Sequence, residues 1–455
     1  MDEAKPPVNH GPVRHLIVKS PLPPSRLEQP AFPYEFLGER EFRVLVLSPG
    51  SKDQKEVRCS FLTASMAQVP EYEAVSYLWA VNNDAQPMMI DIKLEDSQGI
   101  VHPIPTEINL YNILRSLRHY TKPRQFWIDA LCTNYSNEAE SEKDYQATVK
   151  RFIFRNAENI CFWLGEDANS KTALNFVPKI LDLTGIDKLV KDDSAIDGWV
   201  AFVALLKNPV FSHLWLVQEI TEAQNVTLHC GQPAIHYRDL VDAVTMFVSF
   251  RDEISQLFRH CEKSHKELTD RKMRMAERFI DLSINALQVT SSGIQRLLSL
   301  EALVSQLIDF SAADPRDRIF SVLAMAKDGL ELETDTLTEA SLQRPRRDRQ
   351  LRIEYKRSIL DVYQDFVIHA TKRSQSLDLI CRHWASSVSE KEVSLPTWVR
   401  SLDSLPTNFY TNVSERTSAD SLVGLPDHND YNASRGKAAD FRFESQPLQF
   451  QVPSY

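Results

Sequence analysis

One carboxylate stands a single turn beyond a tryptophan: Trp215 and Glu219, at i and i+4 in the run Phe211–Ile220, share a helix face. Leu216, Ile220 and Ala223 form the neighbouring stripe, which would pack on a sheet. Taken alone, Glu219 reads first as a solvated acid on an amphipathic helix. Other chemistry-bearing types gather at the ends of strand-like runs. Ser76 and Tyr77 close Ala74-Val75-Ser76-Tyr77-Leu78-Trp79, and Asp129 closes Phe126-Trp127-Ile128-Asp129. Ser76 alone could satisfy a turn, and Asp129 could equally accept loop N–H groups or line a pocket. Brought together with Glu219 they offer the acceptors, donors and aromatic face that a sugar with several hydroxyls requires.

Three further candidates are weaker. Gly165 to Thr172 is one residue short of a phosphate loop, with Ser170 where the second glycine belongs and two acids that would repel phosphate, so nucleoside-triphosphate binding is not expected there. His260, Cys261 and His265 lie close together but lack a second ligand pair, so no metal site is expected. Cys132 sits in a loop at a strand end, where a thiol could act as nucleophile, yet no histidine partner is named by the sequence and a buried thiol is the better reading.

The elements that must position these groups alternate. Phe42–Leu47 reads as a strand ending in Ser48-Pro49-Gly50, and Met88–Ile92 as a hairpin-like accessory strand. Thr106 is placed to cap a helix carrying Leu110, Leu114 and Leu117 on one face. The strand at 126–129 follows, then a helix with Tyr145, Val149 and Phe152, the strand Ile160–Leu164, the Trp215/Glu219 helix and the strand Val226–Gly231. Strand and helix in alternation over 72–231 predict a doubly wound α/β domain with its ligand at the carboxyl ends of the strands. Residues 236–380 carry mostly helical periodicity, including Ile353 to Thr371, and 381–455 read as irregular to β. Residues 1–35 hold eight prolines between Pro6 and Pro33 and read as an extended tail.

Composition narrows the classes. The formal charge of -10 opposes general attraction to nucleic acid, including at the short tract Arg344-Pro345-Arg346-Arg347-Asp348-Arg349. Six cysteines without CxxC pairs argue for reduced thiols in a cytoplasmic protein. With no signal-like apolar core at the start and no run of about eighteen apolar residues, neither secretion nor a membrane span is expected. Only 12 glycines and no GxGxxG leave no Rossmann cradle for a bound dinucleotide cofactor.

The blocks Tyr72–Trp79, Phe126–Asn134, Glu142-Lys143 with Gln146, Ala157–Gly165, Trp215–Ile220 and Asp314–Phe320 resemble, in order, the fungal heterokaryon incompatibility (HET) domain family. The resemblance covers residues 36–235 firmly and continues through Asp314–Phe320 and Leu395–Val399 in the manner of downstream regions of such proteins. Ala80, Tyr135 and His213 depart from the family's usual glycine, glutamine and arginine near the ligand edge, and bear on substrate affinity.

HET domains are similar in turn to TIR domains, whose flavodoxin-like parallel sheet supports NAD cleavage in some members and assembly in others. The resemblance therefore implies a TIR-like α/β sheet flanked by helices, with NAD or NADP as substrate and no resident cofactor or metal. It also implies self-association and a cognate incompatibility or trigger protein as partner. Trp215-Leu216-Val217-Gln218-Glu219 matches the W-x-x-x-E motif of the TIR enzymes in type and place, which makes Glu219 the catalytic candidate. Ser76, Tyr77, Trp79, Asp129, Cys132, Asn134 and Trp215 then become the substrate-binding candidates, with Trp215 expected to brace the helix rather than touch substrate. Scission of the nicotinamide–ribose bond leaves positive charge on the sugar, and one carboxylate can stabilise it. The implied activity is NAD(P) hydrolysis triggering programmed cell death; the alternative is a non-catalytic assembly module with Glu219 structural.

Overall fold

The computed structural model describes residues 32–38, 40–51, 53–78, 88–231, 233–261, 268, 270–290, 293–329, 351–381, 402, 438, 442–443 and 450–451. Trp79, Ala80, His265, the Arg344–Arg349 tract and Leu395–Val399 lie outside them.

Nine strands form one sheet: β1 (Glu41–Leu47), β2 (Arg58–Ser65), β3 (Glu73–Ser76), β4 (Met89–Glu95), β5 (Val101–Glu107), β6 (Arg124–Trp127), β7 (Asn159–Trp163), β8 (Val226–His229) and β9 (Ala234–His236), in the order β5-β4-β2-β1-β6-β3-β7-β8-β9. Strands β6, β3, β7 and β8 run parallel to one another. Counted along the chain, these four lie in the order second, first, third, fourth, that of a flavodoxin-like doubly wound sheet. The chain reverses its direction of travel between β3 and β7, where such sheets open a crevice at their carboxyl ends.

Burial explains the composition of this core. β7, Asn159-Ile160-Cys161-Phe162-Trp163, is buried at every position but its first, because helices cover both sheet faces. Phe162 stacks toward Phe211 and Phe279 on one side, while the Trp163 indole donates to Asn109 Oδ1 at 3.1 Å on the other. The Ile108–Leu117 helix buries Leu110, Tyr111, Ile113, Leu114 and Leu117. Thr106 does not cap it: this residue ends in β5 and donates to the Ile104 carbonyl at 3.1 Å, so the helix starts without a side-chain cap. The apolar core continues from Phe42 through Phe279, Phe320 and Phe366 as one cluster.

Beyond the parallel strands the sheet is extended by antiparallel ones. β1 pairs with β2 and β6, and β4 with β5, so Met89–Glu95 is one arm of a hairpin, as its sequence suggested, with a ladder of seven residue pairs; only β2 and β4 lie parallel there. At the other edge β8 turns back into β9 through Gly231, whose φ of 62° suits glycine and disfavours a side chain. The downstream region is helical, at Tyr237–Ser249, Arg251–His260, Arg271–Asn285, Leu300–Gln306, Asp317–Leu323 and Ile359–Ser374, with an additional ribbon Leu287–Thr290/Gly293–Arg296. The Ile353–Thr371 periodicity becomes a helix only from Ile359, because Ser358 Oγ accepts the Asp361 N–H and caps it there. The short strands Arg442–Phe443 and Phe450–Gln451 pair with each other.

Candidate functional site

Strand β3 delivers the first group. Its residues alternate across the sheet, so Ser76, the last of them, projects on the face of Ala74 toward the Leu214–Thr221 helix. Ser76 is buried and its Oγ donates to Glu219 Oε2 at 2.7 Å. That helix buries Leu214, Leu216, Val217, Gln218 and Ile220, which leaves Glu219 on the rim of the packed stripe, partly accessible but densely surrounded. Loss of hydrating water raises its pKa to about 7; the Ser76 bond and the Lys150 charge oppose that rise, and the Asp129 charge adds to it.

The second group comes from β6. Asp129 opens the short helical turn Asp129–Cys132, and its carboxylate accepts from Lys150 Nζ at 2.6 Å, Tyr135 OH at 2.8 Å and Thr133 Oγ1 at 3.1 Å. Burial, and then the Asp129 charge, push the Tyr135 phenol far above its usual range, so it remains a donor. Tyr77 is likewise held neutral by burial first and by the Asp129 and Glu107 charges after it. The loop behind is fixed by a buried ion pair in which Arg43 Nη1 and Nη2 meet Glu140 at 2.7 and 3.0 Å. A small pocket there, lined by residues including Phe42, Arg43, Cys132 and Glu140, excludes Ser76 and Glu219 and belongs to the loop's support.

Ser76, Glu219, Asp129 and Tyr77 thus form one electrostatically coupled edge at the crevice between β3 and β7. Lys150 and Tyr135 complete it. Lys150 was not singled out by the sequence, although Lys143, Gln146 and Lys150 recur at helical spacing on Lys143–Asn156 and mark a polar face beside the apolar one. Tyr135 was noted only as a departure from the family.

The other candidates are placed differently. Cys132 is buried, its sulfur accepts the Ile128 N–H at 3.4 Å, and burial pushes its thiol up to about 12; it packs in the core and is not a thiolate. Asn134 folds its side-chain oxygen onto the Ser136 N–H at 3.0 Å while its own N–H donates to Glu140 Oε2 at 3.0 Å, a loop-building role. Trp215 stands toward the downstream region, beside Asp317, whose helix packs on Leu214–Thr221. Trp79 lies outside the described residues. His213, in place of the family's arginine, is a buried ring lowered to about 4 by desolvation, and so neutral. The phosphate-loop-like segment opens the Ala168–Ile180 helix with Asp167 accepting the Ser170 N–H at 2.8 Å, so a carboxylate already occupies the position of an anion. His260 and Cys261 both lean on Asp193, at 3.3 and 3.6 Å. Among the described residues no group of three or more His, Cys, Asp and Glu could hold a metal ion, and no helix is long and apolar enough to cross a membrane.

Chemically, this edge combines a carboxylate poised between charge states, a serine hydroxyl bonded to it, a lysine, and two neutral phenols. It can hold a polyhydroxylated ring and stabilise positive charge developing on it.

Comparison with known proteins bears on the family. Residues 72–219 match the sequence model of the family described as heterokaryon incompatibility protein (HET). Over 400 residues the chain is 23% identical to heterokaryon incompatibility protein 6, OR allele, of Neurospora crassa, in an alignment covering 78% of this chain and 57% of that protein. The chain therefore spans little more than half the length of that relative. No solved structure matches it.

Proposed function

We propose, from the premise that this chain carries a heterokaryon incompatibility domain over residues 72–219, that it acts in fungal incompatibility by hydrolysing the nicotinamide–ribose bond of NAD or NADP. The observation that carries the reading is the Ser76–Glu219 pair at the carboxyl end of β3, with Glu219 raised to about 7. In its ionised form Glu219 accepts ribose hydroxyls and stabilises the oxocarbenium character that grows as nicotinamide departs; nicotinamide leaves as a neutral base, so no proton donor is required. Ser76 holds the carboxylate in place. Lys150, kept beside Asp129, supplies a positive charge for an anionic part of the nucleotide. Depletion of the nucleotide then causes cell death when a trigger protein is met.

Purified protein is incubated with NAD and with NADP, and nicotinamide is followed by chromatography beside Glu219→Gln. Wild-type release that falls on the order of 10² or more in the variant supports the role, in line with deletion of other single charge-stabilising groups. Release that falls less than about threefold removes Glu219 from the mechanism.

A second reading, a non-catalytic module that assembles with copies of itself, is favoured by Tyr135. Its phenol and Lys150 together satisfy Asp129, which ties that carboxylate into the fold. Under this reading Glu219→Gln retains incompatibility in cells, with self-association intact by light scattering.

A further inference from the structure

The two helices that bring Lys150 and Glu219 together are both gripped by one downstream segment. At the start of Leu214–Thr221 the chain forms a bridge with Ser311: the Ser311 N–H donates to the Ser212 carbonyl at 2.7 Å, and the Leu214 N–H donates to the Ser311 carbonyl at 3.1 Å. One turn before Glu219, Trp215 stands beside Asp317, whose helix Asp317–Leu323 packs on Leu214–Thr221. At the start of Lys143–Asn156, Lys143 Nζ meets Asp314 Oδ2 at 3.0 Å. Tyr355 joins these contacts, because its hydroxyl donates to Asp317 while Lys143 and Arg316 stand over its ring at 5.0 and 5.3 Å. Asp317 is almost wholly buried, and it also receives the Asp314 N–H at 3.2 Å. Leu214–Thr221 is tied to Lys143–Asn156 at its other end by Arg151 and Glu222, at 2.7 and 2.8 Å.

We infer that the segment 311–317 is a platform for the site, and that Asp317 is a positioning residue which, through Trp215, sets the height of Glu219 against Ser76. The inference rests on the reading of Glu219 as the reacting group. A buried carboxylate that collects a phenol and a backbone N–H has few alternative arrangements, so the indole seated beside it, and the helix that carries that indole, have few as well. A displacement of the order of 1 Å at a reacting group is enough to cost about 10²-fold in rate. The downstream region thereby becomes part of the site rather than an appendage to it, and any partner that disturbs 311–317 or Tyr355 would act on Glu219.

The test compares wild type, Asp317→Ala, Asp317→Asn and Trp215→Phe in two measurements. The first is the titration of the Glu219 carboxyl, followed by carbon-13 NMR of glutamate-labelled protein and assigned with Glu219→Gln; the second is nicotinamide release with kcat and KM separated. Positioning predicts that Asp317→Ala and Trp215→Phe let water reach Glu219 and lower its midpoint by about one unit, with a fall in kcat of roughly tenfold and KM nearly constant. Asp317→Asn, which keeps a polar group of the same shape beside the indole, should recover most of both. An unchanged Glu219 midpoint in folded Trp215→Phe overturns the inference, as does a change in melting temperature with kcat preserved. Should Asp317→Ala fail to fold, Trp215→Phe, which loses only the N–H and part of the ring, carries the test. A wild type that releases no nicotinamide ends the hydrolase reading, while the titration still decides whether Asp317 positions Glu219.

Discussion

Two glutamates sit at opposite ends of β3, and the fold treats them in opposite ways. Glu73, the first residue of the strand, accepts from Arg124 Nε at 3.0 Å, from Asn159 Nδ2 at 3.1 Å and from Cys161 Sγ at 3.3 Å. Burial works against its charge, but the Arg124 cation and these bonds outweigh burial and lower its pKa. Glu219, held by Ser76 at the last residue of the same strand, is raised to about 7 by burial and has, among the described residues, one close hydrogen-bond donor. Its nearest cation, Lys150, is bonded to Asp129 instead. The sheet can therefore satisfy a buried carboxylate completely and does so at the amino end. At the carboxyl end that satisfaction is withheld, which costs stability and leaves the charge available to a ligand.

Replacing each glutamate by glutamine breaks the comparison in two directions. Glu219→Gln should abolish nicotinamide release by about 10²-fold while raising stability at alkaline pH. The folded protein keeps the Glu219 proton up to about pH 7, whereas an ordinary glutamate loses it near 4.5, so stability falls as pH rises through that window. The difference corresponds to about 3 kcal/mol above pH 7, which the glutamine variant should regain and should not show near pH 4. Glu73→Gln should do the reverse, with turnover retained and a loss of about 1 to 3 kcal/mol in urea denaturation, because Arg124 is left without its partner. Equal stability changes in the two variants would remove the distinction.

A third carboxylate extends the pattern to the downstream region. Burial works against the charge of Asp314, yet hydrogen bonds from Arg316 and Lys143 hold it down at about 2. Its contribution, about 2 kcal/mol, is complete above the ordinary value of 3.8 and disappears as pH falls from there toward 2. Melting curves between pH 5 and about pH 2 should therefore be less steep in Asp314→Asn than in wild type. If the two curves run parallel, Asp314 is not paired in solution as Glu73 is.

Much of this was legible in the residues themselves. The i, i+4 spacing of Trp215 and Glu219 and the strand-like runs ending in Ser76 and Asp129 placed three site groups at one edge, because period and strand direction dictate which residues meet there. The near-continuous apolar blocks around 74, 126 and 160 marked the parallel core for the same reason. Legibility ended where partners are chosen by packing. Cys132 lies in a loop by sequence yet turns its thiol into the core, and Asn134 spends its side chain on the turn it begins. Trp215 has the position of a substrate contact but a partner, Asp317, far along the chain. Lys150 looked like any solvated lysine, since nothing local announces that Asp129 will stand 2.6 Å from it. The strands β2 and β5 were hidden because Arg58–Ser65 mixes polar residues among its apolar ones, while Val101–Glu107 carries two prolines on an open sheet edge.

The smallest expected effect is the sharpest probe of why Glu219 differs from Glu73. In wild type the rate of nicotinamide release should rise with pH through about 7, since the ionised carboxylate is the working form. Lys150→Met removes the cation that favours ionisation and leaves Asp129, whose charge opposes it, without its counter-charge. Both changes disfavour ionised Glu219, so the rising limb should move to higher pH by about half a unit, with the plateau rate retained within a few-fold. Lys150→Arg should leave the limb near its wild-type position, because charge and not hydrogen-bond geometry carries this coupling. The shift should also shrink at high salt, since Lys150 is partly exposed, with 30% of its side chain open to solvent, and such charges are screened. A limb that stays in place in Lys150→Met would mean that the Lys150 charge is fully spent on Asp129. The difference between the two ends of β3 would then come from burial alone, and the lysine would belong to the fold rather than to the reaction.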